Sequence, residues 1–515
     1  MQSIRDKSIL IAYGLLLSSF SATAQTAGSP PGARVQQIPL SGRQGANSVS
    51  VQQDSAQGAG STSNTITTSI QVQGRYQGSV PDQRAVGASV GLTLDEAIKR
   101  GLQFNLGAVS ATTSVRQVRA QRLAALSQML PNISASLSMT GEKENLQALG
   151  LSSSALGASL PFAFPVTVGP YHYYDARGSV SEDAFDLTAL HNYRSAQELQ
   201  HASELNAADA RELVVLAVSG EYIRVLASMA LVDSQVTQVQ YAQSSYDQAA
   251  AQHKAGTRAL IDAERNLVQL QTEQQRLISD RADLVKQKLS LARLLGLPMG
   301  VDLTLQEKLA PNPEPSQSVD DIILQGVAQR SDLKYSEASL NAAEQAVKAA
   351  HAEHLPNANV SGYYGIQGVS PTSGGNGVFA ATGSINIPIW QGGRIESDVQ
   401  QAQAVVDQRR AEYQDQRGVV EQDIRNAYID SSVANEQVSV SDSNRKLALD
   451  TLRQSQDRFA AGVTDSVEVV QSEETLAAAE RDYVNSLFSQ NLAKVNLWRA
   501  VGEAEKNISG LLKGN

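Results

Sequence analysis

The 515-residue chain contains no cysteine, only 15 prolines and only 5% aromatic residues. The absence of cysteine excludes a disulfide scaffold and a thiolate metal site, and it leaves no acceptor for an amino-terminal lipid. With so few aromatic residues and 37 glycines, a single large globular core would be poorly filled. Lys- or Arg-rich runs are also lacking, and 42 basic against 52 acidic residues argue against a nucleic-acid partner.

The first 24 residues have the pattern of an export signal. MQSIRDK is the charged opening, SILIAYGLLLSSF is the apolar stretch, and Ala22-Thr23-Ala24 is an A-x-A cleavage site. No later run reaches 18 consecutive apolar residues, so no transmembrane helix is predicted. Residues 25–90 are rich in Gln, Ser, Gly and Thr, and this low-complexity segment is predicted to be disordered because it can bury little apolar surface.

Two blocks of the folded part repeat each other. Asp95-Glu96-Ala97-Ile98 lies 225 residues before Asp320-Asp321-Ile322-Ile323, and the same offset relates LPN at Leu130 to LPN at Leu355. Such self-similarity predicts two copies of one structural unit. We assign repeat 1 to residues 91–300, a Pro-rich joint to 301–317, repeat 2 to 318–505 and a tail to 506–515.

Each repeat is predicted to contain one long helix. Proline is absent between Tyr171 and Leu297 and after Pro388, so nothing interrupts a helix there. The second copy has coiled-coil spacing at Val420, Ile424, Ala427, Ser431, Ala434 and Val438. The predicted elements are a long helix at 187–254, a tip turn at 255–257 and a return helix at 258–296, matched in repeat 2 by 392–460, 461–463 and 464–502. A 68-residue helix is about 100 Å long.

After each LPN the hydrophobic period changes to two, which predicts β-hairpins at about 132–186 and about 357–389. Ile133, Ala135, Leu137 and Met139 alternate with serines, for example, and the strands have the length of tilted membrane strands. The residues predicted to face lipid are Leu137, Val360, Ile366, Ile385 and Ile387. A sheet on a soluble core is the alternative, but the polar positions lack the charges usual for bulk solvent.

Four strands in a membrane leave two edges whose backbone groups lipid cannot satisfy. Other copies of the chain must therefore close the sheet. The sequence therefore predicts an α+β membrane protein, and a trimer would give twelve strands for one shared β-barrel that continues as a twelve-helix α-barrel.

The chain resembles the TolC family of outer-membrane efflux proteins. The resemblance rests on the duplicated helix starts and LPN entries, on IPIWQGGRIESDVQQAQA from Ile387, and on the turns AGTRALIDAERNL and AGVTDSVEVVQSEE. It implies a homotrimer whose β-barrel lies in outer-membrane lipid and whose α-barrel crosses the periplasm. Such a trimer is a passive channel-tunnel, without cofactor or enzymatic activity, in tripartite efflux or type I secretion. Its implied partners are a periplasmic adaptor (membrane fusion) protein and an inner-membrane transporter of RND, ABC or MFS type. The long amino-terminal segment and the missing lipidation cysteine are departures from the family.

The tip turns are predicted to dock the adaptor through Ala255, Gly256, Thr257, Ala461, Gly462 and Val463. By the resemblance, Glu468 lies where an acidic residue lines the periplasmic constriction, and Gln471 is a departure at the companion acidic position. Asp262 matches a position that helps to hold the tip closed through links between neighbouring helices. The alternative is that these are solvated helix charges, with Arg258 pairing with Asp262 at i, i+4.

Other function classes find little support. His351 and His354 form H-x-x-H, which lacks the i, i+4 pair of a zinc protease, and no nucleophile or dinucleotide motif is present. The run Tyr171-His172-Tyr173-Tyr174 favours an interfacial or loop-packing role. The remaining alternative is an exported trimeric coiled-coil surface scaffold or adhesin, which does not account for the paired strand segments. The sequence names no cargo, so drug, metal, small-molecule and protein export all stay open.

Overall fold

A computed structural model describes residues 49–53, 68–72, 76, 78–82, 90–148, 165–312, 317–372 and 374–512. The predicted export signal lies outside these residues. The secondary structure runs in the order β1 (Val49–Gln53), β2 (Thr68–Val72), β3 (Val90–Leu92), α1 (Leu94–Phe104), α2 (Leu106–Ser127), β4 (Asn132–Asn145), β5 (Thr167–Phe185), α3 (Leu187–Lys254), α4 (Leu260–Leu294), β6 (Leu303–Leu305), α5 (Val319–Gln329), α6 (Ser331–Ala352), β7 (Asn357–Gly368), β8 (Asn376–Asn386), α7 (Arg394–Ala460), α8 (Ser466–Val501) and α9 (Ala504–Asn507).

The two-repeat architecture is confirmed. Each copy has two short helices, a β-hairpin, a long helix and a return helix. The four hairpin strands form one antiparallel sheet in the order β4-β5-β7-β8. The first hairpin is longer than the alternation indicated, because β4 and β5 satisfy each other's backbone groups as far as Asn145 and Thr167.

The helical segment that opens each repeat is broken into two helices. The breaks fall at Asn105 and Arg330, whose ψ angles of 133° and 124° are not helical and which lie 225 residues apart. The Asn105 side chain accepts from the amide of Gly107 at 2.8 Å, and the Arg330 guanidinium donates to Asp332 at 2.9 Å. Both breaks therefore belong to the repeat, and each is held by a polar side chain.

Part of the amino-terminal segment differs from the expected disorder. The strands β1 and β2 pair in antiparallel fashion, and Tyr76 is buried against Gly107, where a Cβ would collide with its ring. The side-chain amide of Asn105 donates to the carbonyl of Tyr76 at 2.7 Å, and the amide of Val80 donates to the carbonyl of Phe104 at 2.8 Å. The average composition of residues 25–90 does not reveal this ordered part, because one buried aromatic residue and a few backbone hydrogen bonds are enough to hold it against the helices.

The joint between the repeats also contains regular structure, since β6 pairs in parallel with β3. One large apolar cluster surrounds this pair and the middle of α3, from Leu213 to Ala227. The helix α3 includes a stretch long and apolar enough to cross a membrane by composition, but 72% of that stretch is buried in the protein. It is therefore a core helix, which agrees with the absence of a predicted transmembrane helix.

The long helices pack in two rows of four. In the half nearer the sheet, the neighbours are α2, α3, α6 and α7 in that order, and in the half nearer the turns they are α4, α3, α8 and α7. The predicted coiled-coil positions of α7, Val420 to Val438, are all buried within the chain. Within the described part of the chain, the two end helices of each row have a neighbour on one side only, as do the edge strands β4 and β8.

Candidate functional site

The sheet has one apolar and one polar face. Strand register puts Ile385, Val360, Ile366 and Leu137 on the same face, together with Phe379. These side chains are exposed, with Leu137 at 80%, Phe379 at 78% and Ile385 at 71%. An apolar face that protein does not cover fits a hydrocarbon surrounding.

The opposite face carries serine, threonine, asparagine and tyrosine. Ser134 and Ser179 are hydrogen-bonded at 2.8 Å across β4 and β5, and Asn359 donates to Asp183 at 2.9 Å across β7 and β5. Arg177 pairs with Asp175 and lies 4.4 Å from the ring centroid of Tyr363. Such a satisfied polar face is typical of a barrel interior.

One strand prediction needs correction. Ile387 is predicted to lie within a lipid-facing strand, but β8 ends at Asn386, because Pro388 follows closely and cannot donate to a ladder. The Ile387 side chain is nevertheless exposed, as are Ile389 and Trp390 beyond it. The tyrosine cluster at 171–174, for which an interfacial or loop-packing role is expected, lies in β5, and the ring centroids of Tyr171 and Tyr173 are 6.4 Å apart in a stacked arrangement.

The end helices of the tip-side row carry exposed apolar seams that the repeat pattern did not reveal. On α4 the seam follows heptad positions at Ile261, Val268, Ile278, Val285 and Leu289, and on α7 at Val419, Ile429, Val433, Val440 and Leu447. The exposed positions on α7 are next in sequence to the buried coiled-coil positions, Val420 to Val438, so the pattern of the buried positions hides them. The exposed seam could have been found in the sequence as a second set of apolar heptad positions on the same helix.

The two turns at the ends of the long helices have the same geometry. Gly256 and Gly462 each have φ of 75°, in the left-handed region that favours glycine. Each glycine follows an alanine, Ala255 or Ala461, that has the right-handed helical conformation and ends its long helix. A Cβ at either glycine would meet no atom within 4 Å, so only the backbone conformation demands glycine here.

Arg258 does not pair with Asp262, although their spacing offered that alternative. Its guanidinium donates to the carbonyl of Thr464 at 2.7 Å and lies 4.9 Å from the ring centroid of Phe459. It therefore joins the turn of repeat 1 to the turn of repeat 2. The return helix is predicted to begin at residue 258, but α4 begins at Leu260, so Arg258 lies before the helix and the i, i+4 spacing does not bring it to Asp262.

Asp262 also joins the two repeats. It is 8% exposed, and its carboxylate accepts a hydrogen bond from the hydroxyl of Ser466 at 2.9 Å. Arg265 lies 3.9 Å away on the same helix. A buried carboxylate that bridges α4 and α8 is distinct from a solvated surface charge.

Glu468 lies at the start of α8 and is partly exposed. Its carboxylate pairs with Arg458 at 2.8 Å and accepts from the hydroxyl of Thr464. With Gln471, Arg258 and Gly462 it lines an open cleft of about 560 Å³ at the turns. The constriction residues and the docking residues expected from the sequence therefore lie together at one end of the helices.

Comparison with known proteins agrees with this architecture. Residues 323–503 match the family model described as outer membrane efflux protein. The probable efflux pump outer membrane protein SepC of Pseudomonas putida is 23% identical over 432 residues, which covers 80% of this chain and 84% of SepC.

Solved structures share the fold along most of the chain. The outer-membrane channel OprN superposes with a TM-score of 0.68 at 18% identity, covering 80% of this chain and 90% of OprN. The CmeC outer membrane channel of Campylobacter jejuni superposes with a TM-score of 0.68 at 16% identity, covering 82% and 89%.

Proposed function

Since this chain is a member of the TolC family of outer-membrane efflux proteins, we propose that it is the exit channel of a tripartite efflux or type I secretion system. Cargo would pass from an inner-membrane transporter of RND, ABC or MFS type, through a periplasmic adaptor, into a passive tunnel. The tunnel itself would carry out no chemistry and would hold no cofactor.

The observation that carries this proposal is the two-faced sheet at the end of long helices. Its apolar side chains are exposed on one face while polar side chains satisfy one another on the other. A soluble scaffold or adhesin would leave that apolar face in water, at about 25 cal/mol for each Å² of apolar surface. A membrane barrel turns the same face to lipid.

The basic test is fractionation and conductance. The chain should sediment with the outer membrane, migrate as a trimer in mild detergent and conduct ions in a planar bilayer. A protein that stays in the soluble fraction, or inserts without conducting, would contradict the channel.

Ring closure by three copies accounts for the unpaired edges. The sheet ends at β4 and β8, and the tip-side helix row ends at α4 and α7 with their exposed seams. A head-to-tail contact that closes after three copies would pair every edge with its complement. Hydrogen bonds would join β4 to β8 of the next copy, and knobs-into-holes packing would join α4 to α7.

Val440→Asp is expected to abolish the trimer in mild detergent. Val440 is 60% exposed in one chain, and in the proposed ring its side chain is buried against α4 of the next copy. Three unpaired carboxylates would then be desolvated in the assembly, which costs several kcal/mol for each ion. Native gel migration and light scattering measure the loss.

The matched control for that substitution is Ser439→Asp. Ser439 is also exposed, but it lies about 100° around the helix from the seam. It should leave the trimer intact. Equal effects of the two substitutions would show that the seam is not the contact between copies.

We further propose that the adaptor meets the two turns, and that the Glu468 carboxylates of three copies form a ring at the periplasmic constriction. Gln471, one turn along α8, adds no charge to that ring. Like charges in a narrow pore repel more strongly than in bulk water, so the ring should favour cations and hold divalent ions. The pairing of Glu468 with Arg458 partly compensates its charge.

Glu468→Ala is therefore expected to lower the cation selectivity of single channels and to relieve block by divalent or trivalent cations added on the periplasmic side. Arg458→Gln should have the opposite effect on selectivity, because it leaves the Glu468 carboxylate uncompensated. Reversal potentials in a salt gradient measure both. Unchanged selectivity and block in both variants would assign Glu468 to the solvated exterior.

A further inference from the structure

Among the described residues, four side-chain hydrogen bonds join the first repeat to the second along the tip-side part of the helices. From the turns upward they are Arg258 with Thr464, Asp262 with Ser466, Ser245 with Glu473, and Gln235 with Arg481. The last two lie directly between α3 and α8, the two inner helices of the row. We call the line of contact between these two helices the α3–α8 seam.

Glu473 is the unusual member of this set. It is 3% exposed, and its Oε1 accepts from the Ser245 hydroxyl at 2.5 Å. Its Oε2 is buried and has no hydrogen-bond partner among the residues that the structure describes. Val469 and Leu476, one turn away on either side, belong to a buried apolar cluster with Ala249 of α3. An ionised carboxylate in this setting lacks half of its normal solvation.

The charged groups nearby do not compensate Glu473. Glu273 of α4 is also buried, and it takes hydrogen bonds from Arg276 at 2.6 Å and from Gln235 at 2.6 Å. Arg481 of α8 donates to Gln235 instead of Glu473. Burial lowers the pKa of the Arg481 guanidinium, as does the positive charge of Arg276, while the negative charges of Asp280, Glu273 and Asp482 act against them. On the side of α7 the neighbouring contact is between two hydroxyls, Ser455 and Ser472, at 2.8 Å.

The titration of Glu473 follows from this surrounding. Burial raises the pKa of the Glu473 carboxyl, the Ser245 hydrogen bond lowers it, and the negative charge of Glu273 raises it; together they bring this pKa to about 7. If α8 separates from α3, water reaches the carboxyl and its pKa returns toward the ordinary value of 4.5. The packed seam thus binds the proton more tightly than the separated seam, so the proton stabilises packing fully below about pH 4.5, and this stabilisation is lost as the pH rises through about 7.

We propose that the α3–α8 seam is a proton-sensitive latch, closed while Glu473 carries a proton and loosened when Glu473 ionises beside Glu273. Loosening moves the α7–α8 pair away from the α3–α4 pair at the tip. The link to channel opening rests on the proposed function, whereas the packing of the helices can be tested without it.

The absence of cysteine makes a direct test possible in the full-length trimer. Ala249→Cys puts a thiol at a fully buried position of the seam on α3, and Ser244→Cys puts one at an exposed position of the same helix. The quantity to measure is the rate of maleimide labelling at the buried thiol divided by the rate at the exposed thiol. Thiol reactivity itself depends on pH, and this ratio removes that dependence. Linkage predicts that this ratio rises about tenfold between pH 6 and pH 8.

Glu473→Gln is the decisive variant, because it keeps the shape and cannot ionise. It should leave the labelling ratio low and constant across that range, with trimer migration and thermal unfolding checked in parallel. A constant ratio with Glu473 present, or a rise that persists in Glu473→Gln, overturns the latch. Conductance recorded over the same pH range separates the two claims: a trimer that never conducts contradicts the channel, while the labelling ratio still decides the latch.

Discussion

Ile385→Arg is expected to deplete the trimer from the outer membrane. The Ile385 side chain is 71% exposed on the apolar face of β8, where lipid would surround it. An arginine on the lipid face near the midplane of the bilayer costs about 2–4 kcal/mol. The trimer carries the substitution three times, so the penalty applies to each barrel three times over. Heat-modifiable gel migration of the outer-membrane fraction measures the yield.

The neighbouring residue provides the control for this experiment. Ser384 pairs with Asn359 in the register and points to the polar face, so its side chain is on the opposite side of the same strand. Ser384→Arg should insert normally and change only the conductance. If both variants insert equally well, either the strand register or the membrane assignment is wrong.

The double substitution Gly256→Val with Gly462→Val is expected to abolish export. Both glycines have φ of 75°, a conformation that costs a residue with a Cβ about 1–2 kcal/mol and a β-branched residue more. A Cβ added at either glycine would have no atom within 4 Å, so the change alters the shape of the turn without disturbing the packing of the helices. The trimer should still insert and conduct, because the turns lie at the far end from the barrel.

Asparagine at the same two positions is the matched control, since it tolerates a positive φ better than other residues with a side chain. Gly256→Asn with Gly462→Asn should retain much of the export. Cargo efflux in cells and capture of the adaptor by the purified trimer measure both variants. Export that survives the valine pair would mean that the turns are not the docking site.

Much of the fold follows from local patterns. The period-two segments after each LPN predict the strands, the lack of proline predicts α3 over Leu187–Lys254, and the offset of 225 residues predicts two copies. These features can be read directly because strand alternation, helix continuity and glycine turns depend on residues close together in the chain. Even the two breaks at Asn105 and Arg330 obey the repeat, although neither residue alone signals a break.

Contacts between the repeats could not be read in this way. By spacing, the sequence offers Arg258 as an alternative partner of Asp262, whereas in the structure Arg258 contacts Thr464 and Asp262 contacts Ser466. Glu473 resembles any other helix carboxylate until packing buries it against Ser245. The sequence by itself determined the elements, their lengths and their duplication, because these depend on neighbouring residues. Tertiary structure alone decided which charges are buried and which helices lack a neighbour, because those depend on how segments some 200 residues apart pack side by side.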